Sequence, residues 1–314
     1  MTQTNARPAA KRRGLPGLID NVRQHPVLYI MALPVILYFI VFHYAPMYGL
    51  VIAFKNYVPA RGIMGSKWVG LSQFSKFFSD MYFFRLIRNT LVINLKLLLF
   101  GFPVPIVFAI LLSEMRRQAF KSTVQTITYM PHFISAVVVC GIFLDFTKSN
   151  GIITWVVSLF GGEKIDLMTR AENFQTIFVG MNVWQEFGWD SIIYFAALSA
   201  IDPTMYEAAM IDGASRFKRI LHITLPSLLP TITILLVLRI GNMMSLGWER
   251  IVLMYNPLIY ETSDVISSYV YRRGLVEFNY SYSAAVGMFN SVCNVALLTI
   301  ANFASRKLTS SSLW

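Results

Sequence analysis

Charged residues are absent from three long stretches of this chain, 27–54, 122–144 and 282–305. Three more are nearly as apolar and hold only isolated charges: 89–113 with Lys96, 173–201 with Glu186 and Asp190, and 227–247 with Arg239. A bilayer's hydrocarbon core takes roughly 20 apolar residues per helix. The pattern therefore predicts an all-α, polytopic membrane protein whose six transmembrane helices occupy about 27–54, 89–113, 122–144, 173–201, 227–247 and 282–305. Two tails, 1–26 and 306–314, flank this domain, and an even number of spans puts both on one side.

Proline and glycine modulate the pattern. Gly101, Pro103 and Pro105 fall together inside the second span and predict a kink, because proline lacks a backbone donor and crowds the preceding turn. Pro131 and His132 lie in the third span, where the histidine reads as a packing residue. Between spans, 55–88 is rich in aromatic rings and turn-forming glycines, which suits a membrane-surface segment. Residues 152–160 are apolar but too short to cross, so an interfacial position is expected. The segment 248–281 mixes Trp248 and several tyrosines with Arg272 and Arg273, a composition that suits sugars and also an interfacial aromatic belt.

The stretch 202–226 stands apart from the other connections. Asp202 is a good N-cap with Pro203 at the first helical position, Ala208, Ala209 and Met210 favour helix, and Gly213 breaks it. On a second helix Phe217, Ile220, Leu221 and Thr224 share one face opposite Arg216, Lys218, Arg219 and His222. Pro226 is expected to end that helix. Polar residues inside the spans are few, and each is a functional candidate because an ionisable group in hydrocarbon needs a partner or water. The densest set lies in the fourth span, where Asn182, Gln185, Glu186 and Trp189 share a face with Asp190 next to it. Arg239 and Asn242 share a face of the fifth, and Glu186 or Asp190 is a candidate partner for Arg239. Together with Trp248 these eight residues form the candidate substrate path. Lys96 is expected to extend its ammonium toward its own helix end.

Composition agrees with a bilayer protein: 55% of the 314 residues are hydrophobic and 14% charged. The net charge of +11 arises from basic residues at span ends, with no single patch for nucleic acid. Tight clusters in short loops, Lys11 to Arg13 with Arg23, Arg116, Arg117 and Lys121, Arg216 to Arg219, and Arg306 with Lys307, put both termini and the 202–226 loop in the cytoplasm. The apolar run after the basic N-terminus is longer than a signal core, so it reads as an uncleaved first span. Cys140 and Cys293 fall inside spans as small packing residues, and no metal set is visible. No Gly-Lys pair, HExxH, GxSxG or CxxC occurs, so neither a phosphate-cradling loop nor a hydrolytic centre is encoded.

Glu207-Ala208-Ala209, three residues, Gly213, nine residues, Ile223, one residue and Leu225-Pro226 match in full the cytoplasmic EAA loop of ABC-importer permeases, seven positions over 20 residues. Beyond the loop, the stretches 47–57, 67–71, 88–91, 125–135 and 282–291 resemble carbohydrate permeases of the maltose-importer superfamily, and within it the LplB-type polysaccharide permeases. The resemblance implies a bacterial inner-membrane subunit, not an enzyme, that pairs with a homologous second permease. Two ATPase subunits would bind ATP and magnesium below it, and an extracytoplasmic binding protein would deliver sugar from outside. It implies that Glu207, Ala208, Ala209, Asp212, Gly213, Phe217, Ile220, Leu221 and Pro226 contact the ATPase. An oligo- or polysaccharide is the implied cargo, with acidic alginate or pectin fragments favoured. The alternative, an ATP-independent secondary transporter or channel using the intramembrane charges as ion sites, leaves the loop unexplained. An intramembrane enzyme would lack a visible nucleophile, base or metal set.

Overall fold

The computed structural model describes residues 24–309, so the basic residues Lys11 to Arg13 and Arg23 lie outside the described part. Two compact units make up the chain, residues up to Val51 and residues from Ile52 onward. In the first unit, helix α1 (Pro26–Phe39) continues through a π-helical turn, Ile40–Tyr44.

The second unit is almost entirely helical. Its exception among the described residues is a small hairpin in which β1 (Lys55–Asn56) pairs antiparallel with β2 (Lys67–Trp68), Lys55 opposite Trp68. Gly62 closes it with φ +66°, a left-handed conformation that a β-carbon disfavours. Helix α2 (Ser72–Phe78) leads to α3 (Phe83–Lys96), a π turn (Leu97–Gly101) and α4 (Pro103–Ser113), so the expected kink in the second span is present.

The third span departs from expectation. It is broken into α5 (Gln118–Tyr129) and α6 (Ala136–Thr147), with a 3-10 turn at Met130–Phe133 between them. Proline at 131 removes a ladder donor there, and Ser135 starts α6 afresh by accepting from the Val138 amide at 3.4 Å. A bend at 148–151 separates α6 from α7 (Ile152–Leu159), the short apolar segment. Residues 136–159 have the composition of a span, but α6 alone rises only about 18 Å at 1.5 Å per residue.

Helix α8 (Ala171–Ser199) is the axis of the unit. It packs against α4, α5, the break, α6, the helix at Leu225–Gly241 and the short helical turns at 257–263, and buries Phe174, Phe178, Met181, Asn182, Gln185 and Tyr194 among others. Gly188 permits the crossing with α5, since a β-carbon there would come within 2.1 Å of the Thr128 carbonyl oxygen. Two apolar clusters flank its polar middle, one around Ile93, Val139, Cys140 and Phe178, the other around Ile106, Ala109, Leu198 and Leu228. Cys140 is thus a packing residue, and both cysteines are free thiols.

Helix α9 (Pro203–Ile211) ends at the Gly213 turn, after which α10 (Arg216–Arg219), a π turn (Ile220–Thr224) and α11 (Leu225–Gly241) follow one another without interruption. Pro226 therefore does not stop the helix as its type predicts. The carbonyl that a proline orphans lies four residues back, at His222, inside the π turn, which widens the backbone to take the ring. The same spacing recurs at Pro46 with Ile40–Tyr44 and at Pro103 with Leu97–Gly101. The chain ends with α12 (Trp248–Met254), α13 (Ile266–Tyr271) and α14 (Tyr280–Thr309).

Among the described residues five segments, Pro26–Phe54, Phe83–Ser113, Ala136–Leu159, Arg216–Gly241 and Tyr280–Lys307, are long and apolar enough to cross a membrane. The 29-residue α8 has the length but not the apolarity, because it carries the polar residues of the site.

Candidate functional site

Glu186 sits at the middle of α8 and is the hub of a charged cluster. One carboxylate oxygen accepts from Arg250 Nη2 at 2.6 Å, the other faces His132 Nδ1 at 2.6 Å. Arg250 Nη1 also donates to Asn182 Oδ1 at 2.5 Å, one helical turn away on the same face. All three ionisable side chains are about a quarter to a third exposed, so the cluster borders space while remaining inside the helix bundle. Gln185 donates to the Ile134 carbonyl at 3.0 Å, satisfying a backbone acceptor freed by the break in the third span. The break thus has a consequence for the site: it turns His132 toward α8. His132 stacks flat on Trp189, ring centres 4.3 Å apart and planes 2° apart.

Two cavities adjoin the cluster. One, of about 250 Å³, is bordered by Asn182, Glu186, Asp190, Arg239 and Arg250. The other, of about 710 Å³, is bordered by Trp189, Asp190, Tyr194, Arg239 and Asn242. Asp190, Arg239 and Gly101 border both. Gly101, in the π turn of the second span, lies beside Arg239, where a β-carbon would come into ordinary contact with Nη2 at 3.9 Å.

Six of the eight residues expected to form a path border these cavities, while Gln185 is buried beside them and spent on the Ile134 carbonyl. Trp248 stands apart, stacked on Tyr271 at 4.4 Å. The proposed pairing of Arg239 with Glu186 is replaced, because Arg250 and His132 occupy both oxygens of Glu186, and Arg239 faces the cavities with Asp190. Lys96 is also corrected. Its ammonium donates to Gln175 Oε1, a carbonyl oxygen on α8, at 2.9 Å, so it has a partner within the bundle. Sequence reasoning missed Arg250 and undervalued His132. Arg250 is the first basic residue after Arg239, which is the signal that a buried carboxylate lacking a partner would have pointed to.

The loop at 202–226 is built as its residues dictate. Asp202 Oδ1 accepts from the Thr204 amide at 2.9 Å and caps α9. A Schellman motif closes it: Ala214 N–H donates to the Ala209 carbonyl at 2.8 Å and Gly213 N–H to the Met210 carbonyl at 3.1 Å, with Gly213 at φ +74°. Ser215 caps α10. The two arms are tied by Tyr206 Oη and Thr224 Oγ1 at 3.0 Å, Thr224 being buried. Glu207, Ala208, Asp212, Gly213, Phe217, Leu221 and Pro226 are exposed, while Ala209 and Ile220 are half-buried. Phe217 is 73% exposed and Leu221 48%, a pair of large apolar side chains left uncovered next to three basic residues.

On the outer segments a second set of charges is tied together. Asp264, buried, accepts from Arg272 Nη2 at 2.7 Å, Arg85 Nη2 at 3.3 Å and Ser268 Oγ at 2.9 Å, which joins 248–281 to α3.

A polar, cavity-lined helix within an apolar bundle, together with an exposed helix-turn-helix between spans, defines an integral membrane permease subunit. Residues 101–310 match the family model "Binding-protein-dependent transport system inner membrane component", and the chain belongs to that family. It is 43% identical to Protein LplB of Bacillus subtilis (strain 168) over 288 residues, 91% of each chain. It is also 43% identical over 291 residues to the polygalacturonan/rhamnogalacturonan transport system permease protein YteP of the same organism, covering 92% of this chain and 91% of that one. A crystal structure of a bacterial ABC transporter involved in the import of the acidic polysaccharide alginate contains a chain with TM-score 0.85 and 41% identity, covering 93% of this chain and 99% of that chain. A second crystal structure, of the bacterial alginate ABC transporter in complex with alginate pentasaccharide-bound periplasmic protein, matches with TM-score 0.85 and 40% identity over 94% of this chain and 99% of that chain.

Proposed function

We propose that this chain is one half of the translocation path of an ATP-driven importer for acidic oligo- or polysaccharides. The observation that carries the reading is the polar middle of α8, with cationic and aromatic side chains bordering a cavity of about 710 Å³, in a chain 41% identical to a subunit of an alginate importer. A cavity of that size lies in the range of sites for small organic ligands.

The homologous second permease completes the path, an extracytoplasmic binding protein delivers the saccharide, and two ATPase subunits bind ATP and magnesium. Residues 207–226 seat in a groove of the ATPase. Phe217 and Leu221 are the apolar anchors and Glu207, Asp212 and the basic face are the polar rim, as in other helix-in-groove contacts. Gly213 sets the angle between the two arms and the Tyr206–Thr224 bond keeps it, so a displacement of α9 passes through the continuous 216–241 helix to Arg239 near its far end. ATP-driven closure of the ATPase pair then switches the spans between two discrete states.

Uptake tests the reading. Proteoliposomes holding the complete complex and internal ATP are offered a binding protein loaded with oligouronates or with neutral oligosaccharides. ATP-dependent accumulation of the oligouronate is expected. Uptake that persists without ATP, or that follows an ion gradient, would replace the reading with a secondary transporter.

A further inference from the structure

The two arginines that border the cavities are in opposite states. Arg250 is spoken for: its guanidinium holds Glu186 and Asn182 in short hydrogen bonds. The Arg239 guanidinium makes no hydrogen bond or contact ion pair with any described residue, and Asp190 and Tyr194 feel it only at longer range. An intramembrane cation with open donors, at the junction of two cavities, is costly unless something anionic visits it. Trp189 borders the same larger cavity and is 39% exposed, although His132 covers one ring face in a flat stack. Phe133 also meets the ring at right angles, centroids 5.4 Å apart, so the exposed part of the indole is what remains to border the cavity. Asn242, the residue that follows the last turn of α11, borders it too.

From this geometry we propose a uronate subsite: Arg239 grips the carboxylate of a hexuronic acid residue while Trp189 stacks on the C–H face of the same or the adjacent pyranose ring. A guanidinium presents a planar fork that matches a carboxylate in bidentate fashion, whereas a lysine at the same place offers only a point charge. Glu186 is engaged by Arg250 and His132 and makes no hydrogen bond to the fork. Asp190 is the one carboxylate that shares both cavities with Arg239 among the described residues, and it acts on the guanidinium only at longer range, without a hydrogen bond. The fixed cluster of His132, Glu186 and Arg250 is then scaffold: it fixes the Trp189 ring from behind. This assignment rests on the acidic-saccharide reading above and names the residues that would enforce it.

Equilibrium binding and uptake with Arg239→Gln, Arg239→Lys and Trp189→Ala test it in the whole complex. The two probes are an oligouronate and the same oligosaccharide with its carboxyls reduced to alcohols. Arg239→Gln should weaken oligouronate binding to the complex by about 10- to 100-fold, the worth of a lost charge-assisted contact, and leave the reduced sugar unchanged. Arg239→Lys should recover part of the loss, and Trp189→Ala should weaken both sugars. Equal effects of Arg239→Gln on the two sugars, or none on either, would overturn the subsite. If the parent complex imports oligouronates and Arg239→Gln does so with the same KM, the subsite fails while the substrate reading stands. If the parent imports none, the substrate reading fails and takes the subsite with it.

Discussion

Replacing Glu186 by glutamine keeps the size of the side chain and removes its charge, which makes it a direct probe of the cluster that joins α8 to the broken third span and to α12. In the parent, two charge-assisted contacts of 2.6 Å end on its carboxylate. Neutral hydrogen bonds between membrane helices average about 0.6 kcal/mol and reach about 1.7. A charge roughly doubles such a bond, which places each contact at about 1 to 3 kcal/mol. Glutamine retains one acceptor oxygen, so the substitution should cost about 2 kcal/mol, and not the sum of both bonds. At 2 to 4 °C per kcal/mol for a chain of this size class, that is a fall of roughly 4 to 8 °C in the thermal midpoint of the purified protein, followed by intrinsic fluorescence. A double-mutant cycle with Arg250→Gln separates the pair from the rest. Arg250→Gln should cost clearly less in the Glu186→Gln background than in the parent. A midpoint within about 1 °C of the parent for Glu186→Gln, or additive losses in the double variant, would refute the idea that these charges hold the site together.

Other perturbations address separate parts of the account. Gly213→Pro or Glu207→Lys should leave the protein inserted but lower transport per ATP hydrolysed, measured as the ratio of uptake to phosphate release, since the first disrupts a turn held at φ +74° and the second reverses a charge on the exposed face of α9. Gly188→Leu should abolish recovery of folded protein, assayed by size exclusion, because its β-carbon would lie 2.1 Å from the Thr128 carbonyl. Asp80, between the first two spans, loses some solvation by burial, but donors from Tyr269, the Tyr82 amide and Tyr282, with Arg273 nearby, outweigh this and hold its carboxyl below the ordinary value of 3.8. The stabilisation it gives is present above that value and lost as pH falls through the lowered one, so proteolytic resistance of the outer segments should be flat from neutral pH down to about 4 and fall below it. Asp80→Asn should remove that acid transition.

Much of this architecture is legible in the residues because it depends on local rules. Asp202, Pro203, Gly213 and the periodic face of 217–224 specify a capped helix, a left-handed closure and a second helix with no reference to the rest of the chain. The face shared by Asn182, Gln185, Glu186 and Trp189 is equally local, a matter of 3.6 residues per turn. Partners are another matter. Glu186 meets His132 and Arg250 at separations of 54 and 64 residues, and no periodicity reports that pairing. Arg250 was hidden for a further reason, since it lies past the fifth span in a segment whose composition suits an outer loop. Pro226 misleads because a helix can absorb a proline by widening to a π turn, whereas Pro131 does break the third span. The two differ in what precedes them: 3-10 at Met130, π at Ile220–Thr224.

The measurement that bears most directly on the central claim is ATP hydrolysis by the purified complex in lipid, with the binding protein empty, loaded with an oligouronate, or loaded with a neutral oligosaccharide. Stimulation by the oligouronate-loaded form above the other two is the predicted result. Failure of an ATPase to copurify with this chain, or hydrolysis indifferent to the loaded binding protein, would contradict it.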